Sequence, residues 1–308
     1  MSGLRVAIVG FGKIARDQHV PAIAATPGIT LAAVASRNAS LSGLPHFATI
    51  EELLRDGPEI DAVALCTPPQ VRCQQAVAAL KAGKHVMLEK PPGAAVTELD
   101  PLIALATEQR RTLFATWHSR YAPAVAPARA WLAERRIDKV QINWKEDVRV
   151  WHPGQRWIWE PGGLGVFDPG INALSILTRI LPTQLFVTAA ELSFPSNCAA
   201  PIAADITMTD TSGLPIAAAF DFRQTGPQSW DIIVDTDGGQ LVLSRGGARL
   251  AIAGKTLVEA PDEEYLGLYR HFVELAATST SDVDLSPLRL VADAFLLGSR
   301  RIVEPFED

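Results

Sequence analysis

Short apolar runs separated by helical patterns fill the first 120 residues of the chain. The runs of strand length are Leu4–Val9, Thr30–Ala35, Ala62–Cys66, Val86–Leu88 and Thr112–Ala115. Residues between them follow helical spacing, as in Gln70–Ala82 and Val96–Gln109. Strands that are apolar throughout are covered on both faces, as in a parallel sheet with helices on each side. The pattern predicts an α/β domain with a doubly wound parallel sheet over residues 1–120.

Beyond residue 120 the pattern changes to alternating apolar and polar positions. The half-buried strands predicted in this way are Lys139–Glu146, Gln184–Phe194, Ala203–Thr209, Pro215–Arg223 and Trp230–Thr236. Asp237-Gly238-Gly239 and Arg245-Gly246-Gly247 are typical of hairpin turns, because glycine readily adopts positive φ. Helical spacing covers Val125–Arg135, Pro169–Leu181, Glu263–Ala277 and Pro287–Ile302. We therefore expect a second, α+β domain with a largely antiparallel sheet over residues 121–308.

Composition and charge narrow the classes of partner. A chain of 308 residues is long enough for two domains of about 150 residues each. The net charge is −6 and no block of Lys or Arg occurs, so we expect neither nucleic-acid nor membrane binding. The three cysteines match no disulfide framework and no zinc pattern, and we expect no metal. The chain enters a strand pattern directly and has no run of about 18 apolar residues, which favours a cytoplasmic protein.

A glycine-rich turn follows the first predicted strand. Residues 10–15 form a G-x-G-x-x-A pattern that closes an apolar strand and opens a helical stretch. In a Rossmann fold the first glycine makes the tight turn and the second admits the backbone to the pyrophosphate of a dinucleotide. The helix N-terminus attracts the same group through its free N–H groups. We expect a bound NAD or NADP to contact Gly10, Gly12, Lys13 and Ile14; a purely structural turn is the alternative.

The tip of the second strand bears on which dinucleotide is bound. NAD-binding folds usually carry an acidic residue there, which accepts hydrogen bonds from the ribose 2′-hydroxyl. This chain has Ser36 and Arg37 instead, and its next acidic residue is Glu51. An Arg can pair with a 2′-phosphate, and a Ser can donate a hydrogen bond to it. We expect a preference for NADP with NAD tolerated; an ordinary solvated Arg37 is the alternative.

A lysine lies just beyond an apolar strand, where a catalytic group is expected. Glu89-Lys90-Pro91-Pro92 follows Val86–Leu88 directly. In open α/β sheets, ligands lie beyond the carboxyl ends of the strands. We expect Lys90 to be a catalytic residue where the nicotinamide and the substrate meet; a merely solvated lysine is the alternative.

An Asp and an Asn lie four residues apart at the start of a predicted helix. If the helix begins at this point, Asp168 and Asn172 lie near one of its faces. Asp168 before Pro169 is also a common pair at a helix start, with the Asp as N-cap, which is a structural explanation. A capping Asp needs no polar partner one turn later. We therefore favour a site, and expect Asp168 and Asn172 to be catalytic and to bind substrate.

Four of the seven tryptophans lie in residues 144–160, among carboxylate, amide and imidazole groups. Aromatic faces beside such groups suit sugars, whose C–H faces stack while their hydroxyls need donors and acceptors. Most of these tryptophans can instead pack a joint between domains. The expected substrate contacts are Glu146, Trp151 and His152, with His118 and Trp230 as further candidates. For His118 a structural role is an equal alternative.

Together these motifs resemble the Gfo/Idh/MocA family, named for glucose–fructose oxidoreductase and inositol dehydrogenase. The matching stretches span nearly the whole chain: the glycine-rich turn, Thr67-Pro68-Pro69, Ala82-Gly83-Lys84-His85-Val86, Glu89-Lys90-Pro91 and the glycine-rich run before Asp168. The resemblance implies a Rossmann domain and an α/β domain whose open-faced sheet forms an oligomer interface, here that of a homodimer. It also implies cofactor contacts from Thr67, Pro68, Glu89 and Lys90, and an active site lined by Lys90 and Asp168.

Two positions depart from the family pattern. The family's usual His, four residues after the Asp, is Asn172 here, and a His that often follows the Thr-Pro motif is Arg72. Because Asn cannot exchange protons, an acid or base has to be Lys90 or Asp168. The sequence does not decide between them.

Longer strings resemble the bacterial branch of this family that oxidises L-arabinose and D-galactose. They are residues 12–19, 116–120, 144–147, 151–155 and 167–174. The resemblance implies oxidation of an aldopyranose at C1 to the lactone, with hydride transfer to the nicotinamide. Alternative substrates are an inositol or another polyol or sugar derivative, or an anionic sugar acid bound by Arg149 and Arg156. A non-catalytic NADP-binding sensor is a further alternative, although a sensor does not need acid–base groups such as Lys90 and Asp168.

Overall fold

The computed structural model describes residues 3–307, which form two compact units. The first unit contains the chain up to His118 and a later segment, Tyr265–Asp284. The second contains Ser119–Glu264 and the chain from Leu285 onward. Each unit has its own sheet and its own buried apolar core.

The first unit is built on a parallel sheet of six strands. In chain order they are β1 (Leu4–Val9), β2 (Ile29–Ala35), β3 (His46–Phe47), β4 (Ala62–Leu65), β5 (His85–Leu88) and β6 (Leu113–Ala115). Their order across the sheet is β3-β2-β1-β4-β5-β6, which is the doubly wound order of a Rossmann fold. Every residue of β4 is buried, so both faces of the sheet are covered there and the sequence shows an apolar run rather than alternation. The predicted fold class is confirmed.

Helices connect these strands. They are α1 (Val20–Ala25), α2 (Ile50–Asp56), α3 (Pro69–Lys81) and α4 (Leu99–Gln109). A π-helical turn, Ala15–His19, leads from the glycine-rich turn into α1. Because the strands are parallel, the carboxyl ends of β1, β2, β4 and β5 lie along one edge of the sheet. That edge is where a Rossmann fold binds its ligand.

The second unit is built on a sheet of nine strands. They are β7 (Ile137–Lys145), β8 (Phe186–Pro195), β9 (Ala203–Thr209), β10 (Ile216–Asp221), β11 (Ser229–Thr236), β12 (Gly239–Ser244), β13 (Arg249–Ile252), β14 (Lys255–Glu259) and β15 (Ser299–Val303). Their order is β14-β13-β12-β11-β7-β10-β9-β8-β15. Neighbouring strands are antiparallel except in the pairs β7–β10 and β8–β15. The prediction of a largely antiparallel second sheet is confirmed.

One face of this second sheet is covered by helices. The remaining helices of the chain are α5 (Val125–Leu132), α6 (Val148–Trp151), α7 (Phe167–Ile180), α8 (Glu264–Thr278) and α9 (Ser286–Leu297). α7 packs on both α5 and α9, all three contact the sheet, and α7 lies against β7 and β11. The β7 residues that face the helices are buried, whereas Gln141, Thr207 and Ala217 on the opposite face are exposed. The second sheet is thus open on one side within its unit.

Helix α8 belongs to the first unit, which corrects the predicted division into residues 1–120 and 121–308. The Thr112 hydroxyl donates to the Leu275 carbonyl, and the rings of Phe114 and Phe272 stack with centroids 6.2 Å apart. After the helix, Asp282 makes backbone hydrogen bonds to β6, the last strand of the parallel sheet. The amphipathic pattern of α8 predicted a helix but held no information on which sheet its apolar face covers.

The last predicted helix, Pro287–Ile302, is also corrected. Helix α9 ends at Leu297, and the chain then forms β15, which pairs parallel with β8 at the edge of the second sheet. Gly298 makes this change of direction possible, because a Cβ at this position would lie 2.4 Å from the Ala294 carbonyl oxygen. The glycine turn predicted between β11 and β12 is confirmed, with Gly239 at φ +107°.

Candidate active site

The glycine-rich turn leaves open space where the pyrophosphate of a dinucleotide is expected. Gly10 has φ +88°, and a Cβ there would lie 2.7 Å from the Thr67 backbone nitrogen, so only glycine fits. Around Gly12 the reverse holds, since a Cβ would meet no described atom within 4 Å. Ala15 is buried, and its small side chain allows the close packing of helix on strand that this position has in a Rossmann turn. The turn, with a helix N-terminus behind it, fits the diphosphate of NAD(P).

The second strand ends at Ala35, directly before the residues predicted to choose between NAD and NADP. The Ser36 backbone is fixed, because its N–H donates to the Phe47 carbonyl and its own carbonyl lies 2.7 Å from His46 Nε2. Arg37 is exposed and, within residues 3–307, makes no hydrogen bond or ion pair. The guanidinium is therefore available to a ligand at the tip of β2.

Arg72, which departs from the family pattern, is a buried clamp. Its guanidinium donates to the backbone carbonyls of Thr67, Glu89 and Pro91. The Thr67 hydroxyl in turn donates to Gln75 on α3 at 2.5 Å. Arg72 thus ties two adjacent strand ends together, those that carry the Thr-Pro and Glu-Lys-Pro motifs. Nothing in the sequence pattern indicated this role.

Glu89 is buried at the end of β5, and its carboxylate faces inward. Oε1 accepts a 2.7 Å hydrogen bond from the Tyr265 hydroxyl and lies 3.0 Å from His19 Nε2. Oε2 accepts a 2.7 Å hydrogen bond from the backbone N–H of Lys90. Both oxygens that were expected to meet the cofactor are therefore engaged within the protein. Lys90 itself is half-buried and joined to Pro91 by a cis peptide bond.

The ionisation of this cluster follows from its partners. Burial alone would raise the pKa of Glu89, but the hydrogen bond and charge of His19, with smaller effects of His118 and Tyr265, lower that pKa far below its ordinary value. Burial alone would likewise lower the pKa of His19, but Cys66, Tyr269 and Glu89 outweigh burial and raise it well above 6.5. The two groups thus form a buried ion pair at neutral pH.

His118 begins a short 3₁₀ turn after β6 and is half-buried. Its ring stacks on Tyr265 with centroids 5.2 Å apart and planes inclined by 20°. The stacked pair connects His118 to the Glu89 cluster within the first unit. His118 thus has a structural contact as well as its predicted role in substrate binding.

In the second unit, a histidine lies between two buried carboxylates. His152 Nε2 is 3.0 Å from Glu146 Oε1, and His152 Nδ1 is 3.5 Å from Asp168 Oδ2. The other Glu146 oxygen accepts a 2.8 Å hydrogen bond from the Trp230 indole. Glu146 follows β7, Trp230 lies on β11, and Asp168 lies on α7. His152 follows α6, so four elements bring together four residues that the sequence pattern singled out.

Asp168 does not cap its helix. α7 begins at Phe167 with Val166 at the N-cap position, and no side chain caps it. The N–H groups of Phe167 and Asp168 donate to the carbonyls of Leu164 and Gly165. The backbone itself therefore satisfies these N–H groups at the start of α7. The capping interpretation of Asp168 is wrong, and its buried carboxylate is left to face His152.

Two buried polar atoms beside Asp168 have no hydrogen-bond partner among the described residues: Asn172 Oδ1 and His152 Nδ1. Asn172 lies one turn after Asp168 on α7. Buried polar groups in proteins are nearly always paired, so atoms without a partner mark positions where a ligand can bind. A hydroxyl group suits both, because it donates and accepts.

Tryptophans lie against this cluster. Trp151 at the end of α6 is 41% exposed, and its ring centroid is 4.8 Å from that of Trp230. Trp144 stacks on the same Trp230 ring at 6.1 Å. Trp159, by contrast, packs on Phe222 and on a ring near the C-terminus, so it serves packing. The segment thus contains tryptophans that lie beside the candidate site and a tryptophan that serves packing, the two roles that the sequence allowed.

Among residues 3–307, no group of three or more His, Cys, Asp or Glu side chains is arranged to hold a metal ion. None of the helices in that range has the length and apolar character needed to cross a membrane.

Comparisons with known proteins agree with the observed fold. The model of the Gfo/Idh/MocA oxidoreductase family, NAD-binding Rossmann fold, matches residues 4–116. Galactose 1-dehydrogenase of Pseudomonas fluorescens is 51% identical over 308 residues, 100% of either chain. The crystal structure of D-galactose-1-dehydrogenase from Rhizobium etli matches with a TM-score of 0.95 at 57% identity, covering 100% of this chain and 99% of that one.

A more distant structure shares the fold. A 3-ketoreductase from Actinomadura kijaniata, crystallised with NADP and TDP-benzene, matches with a TM-score of 0.85 at 20% identity, covering 98% of this chain and 99% of that one. The family model and the full-length relatives agree with the resemblance read from the motifs. This chain is an oxidoreductase of the Gfo/Idh/MocA family.

Proposed function

We propose that this enzyme oxidises an aldopyranose, D-galactose or L-arabinose, at C1 to the lactone, with NAD(P) as hydride acceptor. The observation that carries the proposal is the buried Glu146–His152–Asp168 chain beside the Trp151–Trp230 pair. Sugars need such a combination of aromatic faces and fixed polar groups. Full-length similarity to two proteins named galactose 1-dehydrogenase supports the substrate class.

In this proposal the second unit binds the sugar. Asn172 Oδ1 accepts a hydrogen bond from one ring hydroxyl, and His152 binds a neighbouring one. Trp151 and Trp230 supply the apolar face, and His118 stays a predicted further contact. Glu146 acts indirectly, because both of its oxygens already hold His152 and the Trp230 indole in place.

We assign the proton transfer to Asp168. The anomeric hydroxyl must lose its proton as C1 loses a hydride, and a general base has to be within hydrogen-bond reach. Asp168 is buried and its Oδ2 lies 3.5 Å from His152 Nδ1, while His152 Nε2 is held 3.0 Å from Glu146, so the Asp168 carboxylate takes up the proton beside a fixed imidazole. Lys90 then serves as a cation that stabilises developing negative charge on the oxygen. Asn172 orients the hydroxyl without exchanging a proton.

The bound nicotinamide supplies the hydride-accepting carbon. The residues we propose to hold the cofactor are Gly10, Gly12, Lys13, Ile14, Ser36, Arg37, Thr67, Pro68, Glu89 and Lys90, with Glu89 acting through the backbone of Lys90. We propose a preference for NADP, because Arg37 is exposed and has no partner among residues 3–307, and because the tip of β2 carries no acidic residue.

We further propose a homodimer formed through the open face of the second sheet. That face carries a shallow groove of about 420 Å³ bordered by small and polar side chains, among them Gln141, Ala189, Thr207 and Ala217. Small side chains allow two sheets to approach closely. Light scattering on the purified protein should give twice the chain mass, and Ala217→Arg should lower it to that of one chain.

A sugar screen tests the proposed reaction. Purified protein is mixed with NADP or NAD and with L-arabinose, D-galactose, D-xylose, D-glucose or an inositol, and cofactor reduction is followed by absorbance. We expect fast reduction with the first two sugars, faster with NADP. Bound NADP without reduction by any of these compounds would reject the proposal. Reduction with an inositol alone would move the function to polyol oxidation.

A further inference from the structure

The proposed reaction leaves a buried cluster in the first unit without a task. His19 and Tyr269 are fully buried, and Tyr265 nearly so. His19 Nδ1 lies 2.7 Å from the Tyr269 hydroxyl, and His19 Nε2 lies 3.0 Å from Glu89. Tyr265 donates to the same Glu89 oxygen at 2.7 Å. Such a network is costly to bury, so its geometry calls for an explanation beyond packing.

The network ends on the backbone of Lys90. Glu89 Oε2 accepts the Lys90 N–H, while Arg72 donates to the carbonyls of Glu89 and Pro91 on either side of it. The main chain is therefore held before, at and after Lys90. A lysine side chain is long and flexible, so the placement of its ammonium group depends on how firmly its backbone is fixed.

We infer that Tyr265 is a positioning residue for the reaction, acting on Lys90 through Glu89 with the support of His19. The inference rests on the proposed catalytic role of Lys90. His19 ends the π-turn that follows the glycine-rich turn, and Tyr265 lies on α8. The cluster thus joins the helix of the cofactor turn, the strand of the catalytic lysine and a helix from the end of the chain.

Tyr265→Phe tests this inference with little structural disturbance. The variant keeps the ring that stacks on His118 and removes only the hydroxyl that donates to Glu89. Thr112→Val is the matched control, because it removes an equally buried hydroxyl that bonds to the Leu275 carbonyl of α8 and lies outside the Glu89 network. Losing a hydrogen bond to a charged group should lower kcat about tenfold in Tyr265→Phe, and the control should stay within about twofold.

A double variant separates positioning from general damage. If Tyr265 acts through Lys90, adding Tyr265→Phe to Lys90→Ala causes no further loss of kcat, because the group being positioned is gone. We expect the dissociation constant of NADP to stay unchanged in Tyr265→Phe and Thr112→Val, and the melting temperature to fall by a few degrees in both, because each variant loses one buried hydrogen bond. Equal losses from Tyr265→Phe with and without Lys90 would overturn the inference.

Amide hydrogen exchange provides a readout that does not need activity. The Lys90 amide should exchange faster in Tyr265→Phe than in the wild type, and should be unchanged in Thr112→Val. Unchanged exchange at Lys90 in Tyr265→Phe would overturn the inference even in an active enzyme. If the wild type oxidises no sugar, the proposed function fails, and this exchange rate alone decides whether Tyr265 fixes Lys90.

Discussion

Arg37 is the residue on which the proposed preference for NADP depends. A charge-assisted hydrogen bond to a 2′-phosphate contributes about 1.5–3 kcal/mol, which corresponds to about 10–100-fold in affinity. Arg37→Ala should raise KM for NADP by this factor and leave KM for NAD unchanged. Initial rates with both cofactors measure this, with Asn38→Ala, its exposed neighbour, as the control. Equal efficiency with NADP and NAD in the wild type, unaltered in Arg37→Ala, would contradict the role.

Asp168→Asn tests the proposed base. The substitution keeps the shape of a buried side chain and removes its ability to take a proton. We expect kcat to fall by about 10²–10⁴-fold, with an unchanged dissociation constant for NADP. The control is Asp221→Asn, which removes a carboxylate at the end of β10 that is paired with Arg223. Near-normal turnover by Asp168→Asn would transfer the base to another residue.

Local sequence patterns indicated those proposed site residues whose position along the chain is itself informative. Lys90, Asp168 and Asn172 stand at strand ends and helix starts, which local patterns reveal. Tyr265 could not be found in this way, because it meets Glu89 across 176 positions and on a helix with no motif. The task of Glu89 was also hidden, since a carboxylate beside a catalytic lysine can face the cofactor or the core equally well.

Among elements, buried strands were predicted best and the end of α9 worst. An apolar run such as Leu4–Val9 is bounded by turn residues, so its limits are local. The amphipathic pattern of α9 continues beyond Leu297 into residues that pair with β8. Over five residues, the sequence pattern of a helix cannot be distinguished from that of an exposed edge strand. These residues form a strand because β8 is available to pair with them.

Gly298→Ala tests why α9 ends where it does. A Cβ at this position would lie 2.4 Å from the Ala294 carbonyl oxygen, so the junction with β15 must shift. We expect the free energy of unfolding to fall by about 1–3 kcal/mol, as for other overpacked sites. Urea denaturation measures the loss, and Ser299→Ala, an exposed position next along the chain, should unfold like the wild type. Unchanged stability would show that Gly298 is not required by the turn.

The His19–Glu89 pair links β5, the π-turn and α8, and it should make their stability depend on pH. The lowered pKa of Glu89 contributes stability that is complete above its ordinary pKa of 4.5 and is lost as the pH falls below it. The raised pKa of His19 contributes stability that is complete below 6.5 and is lost as the pH rises towards the raised value. The pair therefore stabilises most between about pH 4.5 and 6.5.

The measurement is the difference in melting temperature between the wild type and His19→Gln across this range. Taking the difference cancels other titrating groups, such as His271 beside Asp282. We expect the largest difference between the two ordinary pKa values and a smaller one above them. A difference that grows steadily with pH would show that His19 is neutral in the folded protein.

For the whole molecule, the informative failure was the boundary between the two units. Cutting the chain at residue 120 assumed that each unit is continuous, which is the simplest assumption when no contact is known. Instead, Thr112 and Phe114 at the edge of the parallel sheet are covered by α8, which comes from near the end of the chain. Because β6 is the last strand of the parallel sheet, another element has to cover its edge and one of its faces. The spacing of apolar residues does not predict which later helix does so.

This arrangement predicts how the protein opens. Because α8 packs on the first unit, its amides should lose protection together with those of β5 and β6, and not with those of β7–β12. Native-state hydrogen exchange at rising denaturant concentration measures this on the intact chain. α9, which follows within a few residues but packs on β8, serves as the internal control and should open with the second sheet. If α8 and α9 instead opened together at one denaturant concentration, the end of the chain would unfold as one cooperative segment. That result would contradict the expectation that α8 is stabilised by the first unit.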